Sequence, residues 1–201
     1  RRGLPTRAVP GFARRWSVEQ RDAGGFPSFV ITPRGRTVTR TLVHLHGGAF
    51  VAPIDAFHVR WATRVASAIG ARVVMADYPL TPEHTWRDSH DQLTEIVARW
   101  AGEPGGAVLA GDSAGGNLAL SVALSLRDRG LPLPTHLVLH APWVDLTTST
   151  PETARFAARD PWLHLGKLHA YARWWERLGY PAFIAMAVVF FLMVNKPALW
   201  G

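Results

Sequence analysis

The 201-residue chain has no cysteine, and its 22 lysine and arginine residues include only two lysines, Lys167 and Lys196. The lack of cysteine excludes disulfide bonds and thiolate metal ligands. Low-complexity segments and internal repeats are also lacking. Because 48% of the residues are hydrophobic and 18% are charged, the composition indicates a globular chain. The length predicts one domain with a substantial core.

A net charge of +7 raises the question of nucleic-acid binding. The arginines are scattered, however, and the densest groups, Arg1-Arg2 and Arg14-Arg15, are near the N-terminus. The sequence shows neither a basic helical face with interleaved aromatic residues nor a Cys/His finger. It therefore predicts no nucleic-acid partner, and genomic base composition explains the preference for arginine.

The start of the sequence, Arg1-Arg2-Gly3, is not followed by an apolar signal-peptide core. We therefore expect a cytoplasmic location. The most apolar segment, residues 181–194, is shorter than the roughly 20 residues that span a bilayer. We interpret it as a buried helix or strand. Two alternatives are a tail that does not belong to the fold and a segment that docks on a membrane surface.

The hydrophobic patterns alternate between strand and helix after an irregular lead-in, residues 1–15. The predicted strands are residues 16–19, 28–32, 39–45, 71–78, 107–110 and 135–141, and the predicted helices are residues 55–69, 85–101 and 117–126. This rhythm predicts an α/β fold, with a mostly parallel sheet and helices on both faces.

A Gly-x-Ser-x-Gly pattern, residues 111–115, stands between an apolar run and a helix-forming segment. A serine at such a strand-turn-helix junction is typical of a nucleophile elbow. The turn forces strained backbone angles on Ser113, and side chains at the glycine positions would collide with the neighbouring strand and helix. Taken alone, the pattern fits a plain strand-to-helix turn equally well.

A second glycine-rich segment, His46-Gly47-Gly48-Ala49, directly follows the predicted strand 39–45. Its glycines let the backbone N–H groups of Gly47 and Gly48 approach a substrate carbonyl oxygen, and the N–H of Ala114 is the predicted third donor of an oxyanion hole. With Ser113 as nucleophile, these donors predict acyl transfer through an acyl-enzyme intermediate.

Five spaced motifs resemble those of the hormone-sensitive-lipase-like α/β-hydrolases, also called bacterial esterase family IV. The motifs are residues 46–50, 77–84, 111–117, 142–146 and 160–163, in family order. The resemblance covers roughly residues 28–175. It implies a carboxylic-ester hydrolase for short or medium acyl esters, with no metal and no cofactor. It also implies a lid formed by the N-terminal segment and residues 149–178.

Four polar residues of these motifs are interpreted as structural. By the resemblance, His46 organises the oxyanion loop and is not the base. His84 follows a Pro-Glu turn and is expected to stabilise the fold by hydrogen bonding. Asp112 and Asp145 are also read as structural, although some α/β-hydrolases carry the triad acid near the position of Asp145.

In this fold the triad acid and histidine follow the serine, in that order. The resemblance stops after Trp174-Trp175, and residues 176–201 contain neither aspartate nor histidine. The histidines that do follow Ser113 predict no replacement base: His136, His140, His164 and His169. We therefore expect residues 1–178 to form a partial α/β-hydrolase domain, C-terminally incomplete, and residues 179–201 to form an apolar tail unlike the family.

Three hypotheses remain open. The first is a fragment or frameshifted product of an esterase whose complete form is the enzyme, with this chain alone inactive. The second is a non-catalytic, small-ligand-binding relative, as the gibberellin receptors are. The third is a membrane-attached product that docks through the apolar segment 181–194. The sequence does not indicate an oligomeric state.

Overall fold

The computed structural model describes residues 3–147 of the chain. The chain divides into two units, Arg1–Trp143 and Val144–Gly201. The predicted lid segment 149–178, the predicted domain boundary at residue 178 and the apolar segment 181–194 lie outside the described residues. The fold described below is that of the first unit.

One six-stranded sheet forms the centre of the first unit. Its strands are β1 (Trp16–Asp22), β2 (Pro27–Pro33), β3 (Arg40–Leu45), β4 (Ala71–Ala76), β5 (Ala107–Asp112) and β6 (His136–His140). Their order across the sheet is β1-β2-β4-β3-β5-β6. β1 and β2 pair in antiparallel fashion, as do β2 and β4, whereas β4, β3, β5 and β6 are parallel. The predicted mostly parallel sheet is confirmed.

Three long helices connect the successive parallel strands, as crossover connections require. The helices of the described part are α1 (Phe12–Arg15), α2 (Ala56–Ile69), α3 (His90–Ala101) and α4 (Ser113–Asp128), and short 3-10 turns occur at Thr6–Ala8 and Trp86–Asp88. Within residues 3–147, no helix is long and apolar enough to cross a membrane.

The central strands are buried on both faces, as their continuous apolar runs predict. Leu42 and Val73 belong to a core cluster that includes Val59 of α2. Their neighbours Val43 and Val74 are also fully buried, and successive side chains of a strand point to opposite faces. α3 and α4 pack against each other and against β3 and β5. The predicted layer of helices on each face is therefore present.

The predicted helix 85–101 is wrong in its extent. Thr85 and Asp88 form a local capping box, in which the Thr85 N–H donates to Asp88 Oδ2 at 2.7 Å, around the 3-10 turn Trp86–Asp88. Ser89 then leaves helical geometry, with φ −140° and ψ −25°, and α3 begins only at His90.

The lead-in 1–15 is more regular than predicted, because it contains the 3-10 turn Thr6–Ala8 and α1. Val9 and Phe12 are buried and join the core cluster on the α2 side of the sheet. The Arg34 guanidinium donates to the Trp16 carbonyl oxygen at 3.1 Å, which fixes the end of this segment. Burial of these two apolar side chains gives the segment its order.

Candidate active site

Ser113 lies at the turn between β5 and α4, as the Gly-x-Ser-x-Gly pattern predicts. Its φ is +49°, which lies in the left-handed region that side chains other than glycine rarely adopt. Because α4 begins at Ser113 and is 16 residues long, the serine stands at the positive end of a helix dipole. The backbone geometry is that of a nucleophile elbow.

The glycines on either side of Ser113 permit close approach of three elements. A Cβ atom on Gly111 would lie 2.2 Å from the Gly115 carbonyl oxygen, and one on Gly115 would lie 2.1 Å from the Leu45 carbonyl oxygen. Real Cβ contacts are essentially never shorter than 3.0 Å. The predicted reason for these glycines, a collision with the neighbouring strand and helix, is confirmed.

The oxyanion loop, defined here as residues 46–50, follows β3 and lies beside the elbow, because Leu45 pairs with Gly111 in the sheet. The φ values of Gly48, Ala49 and Phe50 are +114°, +52° and +61°. Glycine adopts such angles without cost, but Ala49 and Phe50 store backbone strain, which persists only where the surroundings hold it.

Both ends of the oxyanion loop are anchored by the segment that follows β4. The Tyr78 hydroxyl donates to the His46 carbonyl oxygen at 2.6 Å. The Thr81 N–H donates to the Phe50 carbonyl oxygen at 2.9 Å. The sequence motif 77–84 carried the family resemblance, but its task in holding this loop emerges only from the structure.

The predicted role of Gly47 as an oxyanion donor requires correction. Its N–H donates to Asp112 Oδ1 at 3.0 Å, so it is not free to bind a substrate oxygen. The next N–H groups along the loop, those of Gly48 and Ala49, have no acceptor among residues 3–147. The N–H of Ala114, in the first turn of α4, has no partner within the helix.

A histidine–aspartate cluster, consisting of His44, His58 and Asp112, lies behind the loop. His44 Nε2 is 3.2 Å from Asp112 Oδ1, and His58 Nε2 is 3.5 Å from Asp112 Oδ2. His58 also belongs to the capping box of α2, where the backbone N–H of His58 donates to Asp55 Oδ1 at 3.0 Å. The cluster therefore joins β3, α2 and β5 at the end of the sheet where Ser113 lies.

The charge states of this cluster follow from burial and pairing. Burial acts to raise the pKa of Asp112, but the hydrogen bonds of His44 and His58 outweigh it and hold this pKa well below its usual range. Burial dominates at His44 and lowers its pKa. At His58 the pKa is raised, because the contacts with Asp112 and Asp55 outweigh burial. Asp112 is therefore an anion at neutral pH.

His46 is fully buried, and burial lowers its pKa to about 3. Its Nδ1 atom is 2.7 Å from the Gly47 carbonyl oxygen, and its ring stacks on Tyr78 with centroids 4.2 Å apart. These contacts agree with the interpretation that His46 organises the loop, since its ring contacts the loop backbone and the Tyr78 anchor.

Trp143 connects the elbow to the oxyanion loop. Its N–H donates to the Ser113 carbonyl oxygen at 2.8 Å, and its own carbonyl oxygen accepts from Asn117 Nδ2 at 3.0 Å. Its ring stacks on Phe50 with centroids 6.0 Å apart. Three of the sequence motifs thus meet around Ser113.

The other polar residues singled out from the sequence are His84, Asp145 and His140. His84 was predicted to stabilise the fold by hydrogen bonding, without a named partner; its side chain is 53% exposed, and Nδ1 lies 3.9 Å from Asp88 Oδ2, beyond hydrogen-bond distance. The Asp145 carboxylate accepts from the Thr147 N–H at 2.9 Å. His140 pairs with Asp112 in the sheet and is exposed. No histidine within residues 3–147 forms a hydrogen bond with Ser113.

Histidine, aspartate and glutamate residues of the described part do not form a group of three or more arranged to hold a metal ion. The histidine–aspartate cluster is instead an internal hydrogen-bond network. His164 and His169, which were not predicted to replace the missing base, lie outside the described residues.

Comparison with known proteins places this site in a family. A profile described as alpha/beta hydrolase fold matches residues 42–182. An esterase of Acinetobacter venetianus is 34% identical over 123 residues, which are 60% of this chain and 40% of that protein. The hormone-sensitive lipase of Mus musculus is 30% identical over 153 residues, which are 71% of this chain and 20% of that protein.

Solved structures agree with these relatives. The crystal structure of an esterase from the bacterial hormone-sensitive lipase family has a TM-score of 0.67 and 26% identity, and the match covers 81% of this chain and 56% of that one. This chain spans less than half the length of the curated relatives it matches. The chain belongs to the hormone-sensitive-lipase-like family of α/β-hydrolases, as its spaced motifs predict.

Proposed function

We propose that this chain carries the nucleophile and the oxyanion site of a carboxylic-ester hydrolase for short or medium acyl esters. The observation that carries the proposal is the strained Ser113, φ +49°, at the start of α4 beside the oxyanion loop. Relatives named esterase, acetyl-hydrolase and hormone-sensitive lipase support the same reaction class.

In the proposed reaction, Ser113 Oγ attacks the ester carbonyl carbon, and the alcohol leaves as the acyl-serine forms. Water then attacks the acyl-serine, and the carboxylic acid is released. The developing oxyanion is held by the N–H groups of Gly48, Ala49 and Ala114, each of which is worth about 3–4 kcal/mol of transition-state stabilisation. The proposed reaction needs no metal and no cofactor.

Activation of Ser113 requires a base, and no histidine in the described part of the chain contacts it. We therefore propose that the chain by itself has little or no esterase activity. Its substrate is a small ester rather than a nucleic acid, and the location that we expect is the cytoplasm.

A second candidate is a binding protein that keeps the pocket without turnover. The observation that favours it is an intact elbow and oxyanion loop beside a Ser113 that no described histidine contacts. Such a protein would bind an ester or a carboxylate with the same backbone donors but would not acylate Ser113.

Hydrolysis of p-nitrophenyl acetate and butyrate by the full chain separates these candidates, with Ser113→Ala as the matched control. We expect little or no rate above that control. A large Ser113-dependent rate would show that an effective base is present. Ester binding without any Ser113 adduct would favour the binding protein.

A further inference from the structure

We propose that His44 and His58 are positioning residues that hold the Asp112 carboxylate against the Gly47 N–H and thereby set the position of the oxyanion loop. This inference rests on the proposed function, because it assigns a role around the Ser113 site. It concerns groups that touch no substrate and act through the loop backbone.

The Asp112 carboxylate is held at both of its oxygen atoms. Oδ1 accepts the Gly47 N–H at 3.0 Å and lies 3.2 Å from His44 Nε2, while Oδ2 lies 3.5 Å from His58 Nε2. A carboxylate with a single partner can rotate about its Cβ–Cγ bond, but opposed partners on the two oxygens block that rotation. The two imidazoles thus determine where Oδ1 meets the loop.

Gly47 packs directly on this carboxylate. A Cβ atom on Gly47 would lie 2.2 Å from Asp112 Oδ2 and 2.8 Å from the Asp112 carbonyl oxygen. The loop backbone and the carboxylate therefore share one van der Waals surface, with no space between them. Any rotation of the Asp112 side chain displaces Gly47.

The two imidazoles are themselves fixed by separate elements. His44 is 2% exposed, and its ring lies 5.0 Å, centroid to centroid, from the Trp61 ring. His58 is held at the start of α2, where its Nδ1 accepts the Asp55 N–H at 3.1 Å. Because β3 and α2 each supply one support, the carboxylate stays in place only while both elements are docked.

The two ends of this network are each one residue away from a reacting group. Asp112 precedes Ser113, and Gly47 precedes Gly48, the first proposed oxyanion donor. A displacement of Asp112 therefore changes the distance between nucleophile and oxyanion donors from both sides. Loss of one hydrogen bond to a charged group should slow acylation of Ser113 by about tenfold to a hundredfold.

The test compares two substitutions at His44 in the full chain. His44→Leu removes the N–H donor and keeps a buried apolar side chain of similar size. His44→Gln restores an N–H group at nearly the reach of Nε2. His90→Leu is the matched control, because His90 is a buried histidine whose Nε2 lies 2.8 Å from Ser125 Oγ, away from Asp112.

The first readout is the Gly47 amide, followed by ¹⁵N NMR as its proton chemical shift and its hydrogen-exchange protection. We expect His44→Leu to lower this protection at least tenfold relative to the unchanged chain, because an unrestrained carboxylate is a poorer acceptor. His44→Gln should recover most of it, and His90→Leu should leave it unchanged. The second readout is the rate of Ser113 labelling by a p-nitrophenyl phosphonate.

Unchanged Gly47 protection in a folded His44→Leu chain overturns the inference, whatever the labelling rate. If the unchanged chain is never labelled at Ser113, the proposed function fails, while the Gly47 amide still decides the role of His44. Should His44→Leu fail to fold, His58→Leu is measured in the same way. Lower hydrogen-exchange protection of the Gly47 amide in that variant supports the inference, and unchanged protection contradicts it.

Discussion

Acid should destabilise this protein through His46, because the native chain keeps that imidazole neutral. Burial lowers the pKa of His46 to about 3, whereas an unfolded histidine titrates near 6.5. Between these values the unfolded state binds a proton that the native state does not, so stability falls as the pH falls. From pH 7 to pH 5 the loss from His46 alone is about 2 kcal/mol.

Other titratable groups also contribute to the change in stability between pH 7 and pH 5. Burial also lowers the pKa of His44 and His90, so both add to the loss of stability in acid. The raised pKa of His58 has the opposite sign, since its contribution is present at low pH and is lost as the pH rises through the folded-state pKa. The lowered pKa of Asp112 matters only below the usual carboxyl range, outside this window.

The measurement is urea unfolding of the full chain at pH 7, 6 and 5, with and without His46→Asn. Asparagine places an N–H donor near the position of Nδ1 and does not titrate. The free energy of unfolding should fall by about 2 kcal/mol more in the unchanged chain than in His46→Asn over this range. His136→Asn, at an exposed histidine, is the matched control variant. Equal pH dependence in His46→Asn and the unchanged chain would refute the reasoning.

Three further substitutions test the backbone of the site, each by urea unfolding. Gly111→Ala places a Cβ atom 2.2 Å from the Gly115 carbonyl oxygen and should lower the free energy of unfolding by about 1–3 kcal/mol or more. Gly3→Ala is its control, because a Cβ atom there has no neighbour within 4 Å. Equal stability of the two variants would contradict the packing account. Tyr78→Phe leaves the buried His46 carbonyl oxygen without its donor and should cost about 1–3 kcal/mol; a neutral result would mean that another donor replaces the hydroxyl. Ser113→Gly relieves a left-handed φ and should be more stable than Ser113→Ala by about 1 kcal/mol, whereas the reverse order would deny the strain.

The order of helices and strands could be predicted because each depends on local periodicity. Apolar runs such as that of β4 and the four-residue spacing of α2 are visible in the sequence itself. The break before α3 was missed because the spacing of Leu93 and Val97 predicts a helix but does not indicate the residue at which it begins. The start of α3 follows the non-helical geometry of Ser89, with φ −140° and ψ −25°, which only the structure shows.

The site was predicted where its residues are neighbours in sequence. The turn at Ser113 and the glycine-rich loop after β3 follow from the motifs themselves. The hydrogen bond of the Gly47 N–H was not predicted because its acceptor, Asp112, lies 65 residues away and is brought close only by the pairing of β3 with β5. His44 gave one available signal, since it interrupts the apolar, buried run of residues 42–45.

The central claim is that Ser113 is a positioned nucleophile, and covalent labelling tests it most directly. The full chain is incubated with a p-nitrophenyl phosphonate, and the adduct is located by intact-mass and peptide mass spectrometry. The account predicts one slowly formed adduct per chain, on Ser113, and none in Ser113→Ala. Equal labelling of the two chains, labelling at another residue, or no adduct on the folded chain would contradict it.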